Sequence, residues 1–231
     1  MSYVVAAPAQ VSLPVTGSAG RFPVHRIYCV GRNYAAHAQE MGGSGREAPF
    51  FFMKPADAVV PVPAGETGQV PYPTLTSDYH HEVELVVALG TGGTNIAVDD
   101  ALRHVWGYAV GLDMTRRDLQ SQSKKTGRPW SIAKGFDASA PIGAITAAAQ
   151  VPGIARSTIA LQVNGAERQK STIADMIWST AEIISHLSAA WELQPGDLIF
   201  TGTPAGVAAV VRGDVLEGRI DALAPLRIQI V

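Results

Sequence analysis

The stretch from residue 50 to residue 90 limits the fold more than any other. Its short apolar runs are cut by Pro61, Pro63, Pro71 and Pro73 before any of them reaches helical length. Proline fixes φ and removes a backbone donor, so runs interrupted this often form strands joined by turns. Residues 50–52 and 83–89 read as strands, and the glycines of residues 90–93 as a turn. The same grammar extends outward. Residues 27–30, Ile-Tyr-Cys-Val, read as a buried strand ended by Gly31, and residues 105–112 and 198–200 read likewise. Residues 226–231 alternate well enough for an edge strand.

Helical signals are few. Residues 180–191 carry apolar groups at helical spacing behind a Ser179…Glu182 capping-box pattern. Residues 98–104 read as a short helix with Asp99 and Asp100 at its electropositive end. Residues 34–41 read as another, running into Gly42-Gly43-Ser44-Gly45, a breaker. Residues 1–25 hold three prolines and many small side chains, and read as a loosely tied arm with a short strand. The expected architecture is mixed α+β and β-dominated, with peripheral helices: an arm over 1–25 and a catalytic domain over 26–231.

Composition excludes several function classes. Apolar residues make up 47% and charged residues 16%, so the core is substantial and some surface is expected to be covered by a second subunit. The net charge of −2, with no basic stripe, argues against nucleic acid as a partner. No apolar run approaches a membrane span, and residues 1–20 lack a signal-peptide pattern. Cys29 is the single cysteine, which excludes an intrachain disulfide and fits a reducing compartment, so a cytoplasmic location is expected. There is no G-x-S-x-G elbow, H-E-x-x-H or C-x-x-C, which argues against serine hydrolase, zincin and zinc-ribbon chemistry.

Five local features could carry chemistry. Glu82 and Glu84 lie two apart on or beside a strand and so point to one side. Two carboxylates there repel each other, and a hard divalent cation would relieve both repulsion and desolvation. The solvated face of an edge strand explains the same pattern. Asp113 follows the 105–112 strand, where a third carboxylate could join or simply make a turn. His37 and Glu40 share one helix face, a pair able to activate water or to be an ordinary surface pair. Lys54 and Lys134 each sit in an apolar context, where a lysine stabilises an anion or snorkels to solvent. The Thr201-Gly202-Thr203-Pro204-Ala205-Gly206 turn resembles an anion nest or a plain Gly-Pro turn, and lacks the Gly-Lys of a P-loop.

Seven segments, in order, resemble the fumarylacetoacetate hydrolase family, and especially its acylpyruvase branch: YCVGRNYAAHAQEMG, FFFMKP, HHEVELVVALG, GYAVGLDMTRRDLQ, GRPWSIAKGFDASAPIG, LQVNGAERQKS and GDLIFTGTPAGV. They spread over residues 28–207. The resemblance implies a rolled β-structure, commonly homodimeric. It implies Glu82, Glu84 and Asp113 as ligands of one Mg²⁺ or Mn²⁺, His37 and Glu40 as the water-activating dyad on a lid, and Lys134 beside the metal. Gln120 and Thr203 match groups that hold the oxoacid end of the substrate. Arg32, Tyr34 and Lys54 match motif positions near the pocket. Arg117, with Arg46, is a candidate for a distal carboxylate.

The implied activity is hydrolysis of a carbon–carbon bond in an acylpyruvate. The long arm resembles that of the bacterial gentisate-breakdown enzymes, which points to fumarylpyruvate as substrate and to fumarate and pyruvate as products. Decarboxylation of oxaloacetate or a related 2-oxo dicarboxylate on the same scaffold is the nearest alternative. A non-catalytic oxoacid-binding protein is the alternative from another class.

Overall fold

The structure is a computed structural model, and it describes residues 3–35 and 47–231. His37, Glu40 and Arg46, and most of the helix expected over 34–41, lie outside the described residues.

Two sheets carry the fold. The larger has eight strands. Its spatial order is Phe51–Lys54, Ile27–Val30, Leu198–Phe200, Val83–Leu89, Val105–Leu112, Ala140–Ile142 and Val59–Pro61, with Thr146–Ala147 also pairing with Val105–Leu112. The smaller orders Ala166–Thr172, Thr158–Val163, Val215–Ile220, Leu226–Ile230 and Thr67–Val70. The Val83–Leu89 strand lies in the middle of the larger sheet, antiparallel to both neighbours. Every residue in it is buried. Val83, Leu85, Val87 and Leu89 enter the main core with Ile159, Leu161, Leu216 and Ile228 of the second sheet. Val86 and Ala88, on the other face, enter a second apolar cluster with Cys29, Leu198 and Phe200. A strand buried on both faces reads as a near-continuous apolar run, as this one does. Glu84 therefore faces the second cluster, where an uncompensated charge is costly.

The β-dominated mixed architecture matches expectation, and two local readings need correction. Residues 226–231 do not form an edge: Leu226–Ile230 pairs antiparallel with Val215–Ile220 on one side and parallel with Thr67–Val70 on the other. Alternation reports that one face is buried, and both edge and interior strands satisfy it. Of the arm expected over 1–25, residues 3–10 are exposed and without regular structure, but the part after them is not loosely tied. Ser12–Val15 and Ser18–Pro23 form a hairpin whose Leu13 is fully buried in the second cluster. The amide of Thr16 donates to the Ile145 carbonyl, and the amide of Ile145 donates to the Pro14 carbonyl.

The sequence reading also passed over the helix Arg117–Thr126. Asp118 in its first turn and Lys124 and Lys125 in its last complement the helix dipole. Gly127 ends it at φ 64°, its amide returning to the Ser123 and Lys124 carbonyls. This helix turns Arg117, Gln120 and Ser123 inward. No helix among the described residues is long and apolar enough to cross a membrane.

Candidate metal centre

Glu82 immediately precedes the central strand, Glu84 is its second residue, and Asp113 follows the adjacent strand. Register places them together: Val83 pairs with Leu112 and Glu84 with Gly111, and the Asp113 amide donates to the Glu82 carbonyl. Gly111 is required opposite Glu84, because a Cβ there would lie 2.5 Å from Val86 Cγ2 and 2.8 Å from Phe200 Cε1. One carboxylate oxygen from each acid lies within 4.8 Å of the others, and all three residues are buried. The solvated-edge explanation of the E-x-E pattern thus fails for this chain.

Three cations pair with two of the three acids, Glu82 and Asp113. Lys134 Nζ donates to Glu82 Oε2 at 2.8 Å and to Asp113 Oδ2 at 2.6 Å. Lys54 Nζ pairs with Asp113 Oδ1 at 2.8 Å and donates to the carbonyls of Met114 and Lys134. Arg117 Nη2 donates to Glu82 Oε1 at 2.5 Å and Nη1 to Gln120 Oε1 at 2.6 Å. Burial alone would pull the Lys134 ammonium down. The charges of Asp113 and Glu82 outweigh it and hold the group above its ordinary value.

None of these cations has a hydrogen bond or ion pair with Glu84. Its Oε2 accepts the Gly202 amide at 2.6 Å. Desolvation first, then the charges of Asp113 and Glu82, push its carboxyl well above the usual carboxylate range. A carboxylate cluster with one member this reluctant to ionise, and its oxygens converging, is a fit for one divalent cation.

The turn after Phe200 serves that member. Gly202 sits at φ 98° with Asn33 Cβ 2.6 Å from where its own Cβ would be, so only glycine fits. The anion met by this nest-like turn is the protein's own Glu84. Asn33, fully buried, holds the turn by donating to the Thr201 and Trp178 carbonyls.

The remaining anticipated residues fall around this centre. Gln120 Oε1 accepts from Arg117 Nη1. Thr203 donates its hydroxyl to the Val83 carbonyl and accepts from Gln169 Nε2, both at 2.8 Å. Tyr34 is buried beside Glu84, with no hydrogen-bond partner for its hydroxyl among the described residues; burial raises its pKa. Arg32 lies apart from the carboxylates, on the wall of a cavity with Phe50 and Trp130.

Besides Asn33, sequence reasoning missed two groups. Thr115, fully buried, donates to Glu82 Oε1 at 3.3 Å and to the Asp113 carbonyl at 3.1 Å. Gln169, from the other sheet, accepts the Val83 amide at 3.1 Å, bonds His81 Nδ1 at 2.9 Å, and donates to Thr203 and the Pro204 carbonyl. The Asn164-Gly165 hairpin signal would have placed the Gln169 strand, though not its target.

Residues 26–231 match the family described as fumarylacetoacetate (FAA) hydrolase, C-terminal. The chain belongs to the fumarylacetoacetate hydrolase family of enzymes. Its relatives divide by activity. It is 43% identical to the fumarylpyruvate hydrolase of a Ralstonia species, over 80% of this chain and 93% of that one. It is 42% identical to the mitochondrial oxaloacetate tautomerase FAHD1 of Rattus norvegicus, over 88% of this chain and 90% of that one. The crystal structure of fumarylpyruvate hydrolase from Pseudomonas aeruginosa, in complex with Mn²⁺ and pyruvate, is 57% identical. It superposes with a TM-score of 0.97, covering 100% of this chain and 99% of that one.

Proposed function

We propose that this enzyme hydrolyses the carbon–carbon bond of an acylpyruvate, with fumarylpyruvate as substrate and fumarate and pyruvate as products. The observation that carries the reading is the charge count at the carboxylate triad. Lys54, Lys134 and Arg117 already balance Glu82, Glu84 and Asp113. A divalent ion therefore makes the site formally dicationic, which suits a dianionic oxoacid. The similarity to the P. aeruginosa enzyme, whose structure holds Mn²⁺ and pyruvate, supports the same reading.

Glu82, Glu84 and Asp113 would hold the cation, Mg²⁺ or Mn²⁺, which supplies Lewis-acid stabilisation of charge on an oxoacid's oxygens. Lys134 spends two of its three N–H donors on Glu82 and Asp113, leaving one for a substrate oxygen. In the metal-free site the charges of Asp113 and Glu82 hold it as a cation. Arg117 and Gln120 brace Glu82 from the helix side. His37 and Glu40 take the proton of the attacking water, whose oxygen adds to the distal carbonyl. The bond to the pyruvyl CH₂ breaks and its electron pair passes into the pyruvate enolate. The dyad then returns the proton to that carbon. In this reading the enzyme works as a cytoplasmic homodimer.

The tautomerase relatives favour one alternative, a keto–enol proton shift on oxaloacetate at the same site; it needs no attacking water. Decarboxylation is a third outcome of an enolate-stabilising site, and an oxoacid-binding protein would turn over nothing. Mass spectrometry of incubations with fumarylpyruvate and with oxaloacetate, with and without Mg²⁺, separates them. Two organic acids from fumarylpyruvate are expected. Tautomer exchange alone, CO₂ release alone, or no turnover would each overturn the proposal.

A further inference from the structure

Arg117 reaches the metal centre from the first position of its helix, and each of its three guanidinium nitrogens donates to a different side chain. Nη2 donates to Glu82 and Nη1 to Gln120. Nε donates to His80 Nδ1 at 3.4 Å. Contacts on three edges of one rigid plane fix how that plane is turned.

The third contact also fixes the imidazole. An arginine nitrogen can only donate, so Nδ1 of His80 must accept, and the ring proton belongs on Nε2. Nε2 lies 2.7 Å from Asp78 Oδ1, which accepts it. A proton on Nδ1 would set one N–H against another. The His80 side chain is only 16% exposed, so water is a poor substitute for either partner.

The main chain holds this arrangement together. His80 pairs with Thr115 on one side and bridges to Ala209 on the other. The Arg117 amide donates to the Asp78 carbonyl at 2.8 Å. Thr76 Oγ1 and the Ser77 amide donate to Asp118 at 2.6 and 3.2 Å, which ties the segment before His80 to the first turn of the helix. Asp78 and Arg117 are thus joined through their backbones, while their side chains meet at opposite ends of one imidazole.

We infer that His80, aligned by Asp78, is a positioning residue for the metal centre: its Nδ1 lone pair sets the orientation of the Arg117 guanidinium, and through it the placing of the Glu82 carboxylate before an ion arrives. A ligand held in place beforehand loses less freedom on binding. The inference rests on the metal centre alone and holds for any oxoacid reaction performed there.

The test compares His80→Asn with His80→Leu. The two new side chains have nearly the same shape, and both give up Asp78. Asn can set its carbonyl oxygen where Nδ1 was and keep an acceptor for Arg117 Nε, whereas Leu cannot. Outer-sphere partners of metal ligands are commonly worth about 10–100-fold in affinity. Calorimetry of metal-free protein with Mg²⁺ is expected to give a Kd about tenfold weaker for His80→Leu than for His80→Asn, with the Asn variant close to wild type. Kd values of the two variants within threefold of each other, or an Asn variant that binds more weakly than the Leu variant, overturn the inference. Wild type that binds no Mg²⁺ refutes the metal centre itself. Nitrogen-15 spectra of the metal-free wild type, with the His80 ring assigned through its own backbone, decide the alignment independently and need neither variant to fold. A proton on Nε2 alone is expected; a proton on Nδ1, in a neutral or a charged ring, overturns the inference.

Discussion

Gln169 offers the sharpest check on how the two sheets build the metal centre. Its carboxamide is 1% exposed and uses both ends. Oε1 accepts the Val83 amide and bonds His81 Nδ1, while Nε2 donates to Thr203 and to the Pro204 carbonyl. Those partners flank Glu82 and Glu84 on one side and Gly202, the donor to Glu84, on the other. Gln169 therefore cross-braces the ligand strand to the turn that fixes its least willing ligand.

Gln169→Leu keeps the volume roughly constant and removes all four bonds. Thr203 still has the Val83 carbonyl, but His81 gains nothing by changing tautomer, because its Nε2 is also buried without a partner among the described residues; the losses are the Val83 amide, the Pro204 carbonyl and one His81 nitrogen. At about 1–3 kcal/mol for each of these unsatisfied buried groups, the variant should lose about 3–9 kcal/mol. At about 2–4 °C per kcal/mol for a chain of this length, that lowers Tm by at least about 6 °C. Loosening of Glu84 should also weaken Mg²⁺ binding about tenfold, measured by calorimetry below the lowered Tm. Glu167→Gln, an exposed change on the same strand, should move stability by less than about 0.5 kcal/mol. A Gln169→Leu protein melting within 2 °C of wild type, to borrow the smallest shift of about 1 kcal/mol for a chain this size, would refute the cross-brace argument.

Three other outcomes follow from the site. Because the Glu84 carboxyl is held above its ordinary range, metal-free protein loses this contribution as pH rises through that folded pKa, and a divalent ion restores it. The Tm gain on adding Mg²⁺ should therefore grow with pH in wild type. It should vanish in Glu84→Gln, whose metal-free form should melt above metal-free wild type at pH 8. His81 is driven down to about 4, chiefly by burial, so its contribution is intact above about pH 6.5 and lost as pH falls towards 4. Urea unfolding at pH 7 and pH 4.5 should show His81→Asn losing less stability than wild type, by about 2 kcal/mol. Glu40→Gln should retain Mg²⁺ binding while turnover falls about 10²–10⁴-fold, the usual worth of a general base; unchanged turnover would remove the dyad from the mechanism.

What the sequence disclosed, and what it withheld, divides along the range of the forces involved. Strand Val83–Leu89, the capped helix Thr180–Ala190 and the turn after Phe200 are local, written in runs, caps and glycines, and were legible. So was the side-by-side placement of Glu82 and Glu84, since a strand's period of two fixes it. Whether that pair faced water or an apolar interior was not legible, because the answer depends on which strands flank it. Leu198–Phe200, from more than a hundred residues away, and Val105–Leu112 make its strand an interior one, and Lys134, Arg117 and Gly202 close on its carboxylates. The resemblance to a family supplied what spacing could not. The bracing residues escaped both routes. Asn33, Thr115 and Gln169 are small polar side chains whose importance lies in meeting a partner from another element, and no periodicity announces that meeting. Lys54 shows the same limit from the other side. Its apolar setting left burial and snorkelling both open, and only the packed structure shows the ammonium paired with Asp113 and donating to two carbonyls. A charge is legible in a sequence, and its counter-charge becomes legible only when the chain has folded around it.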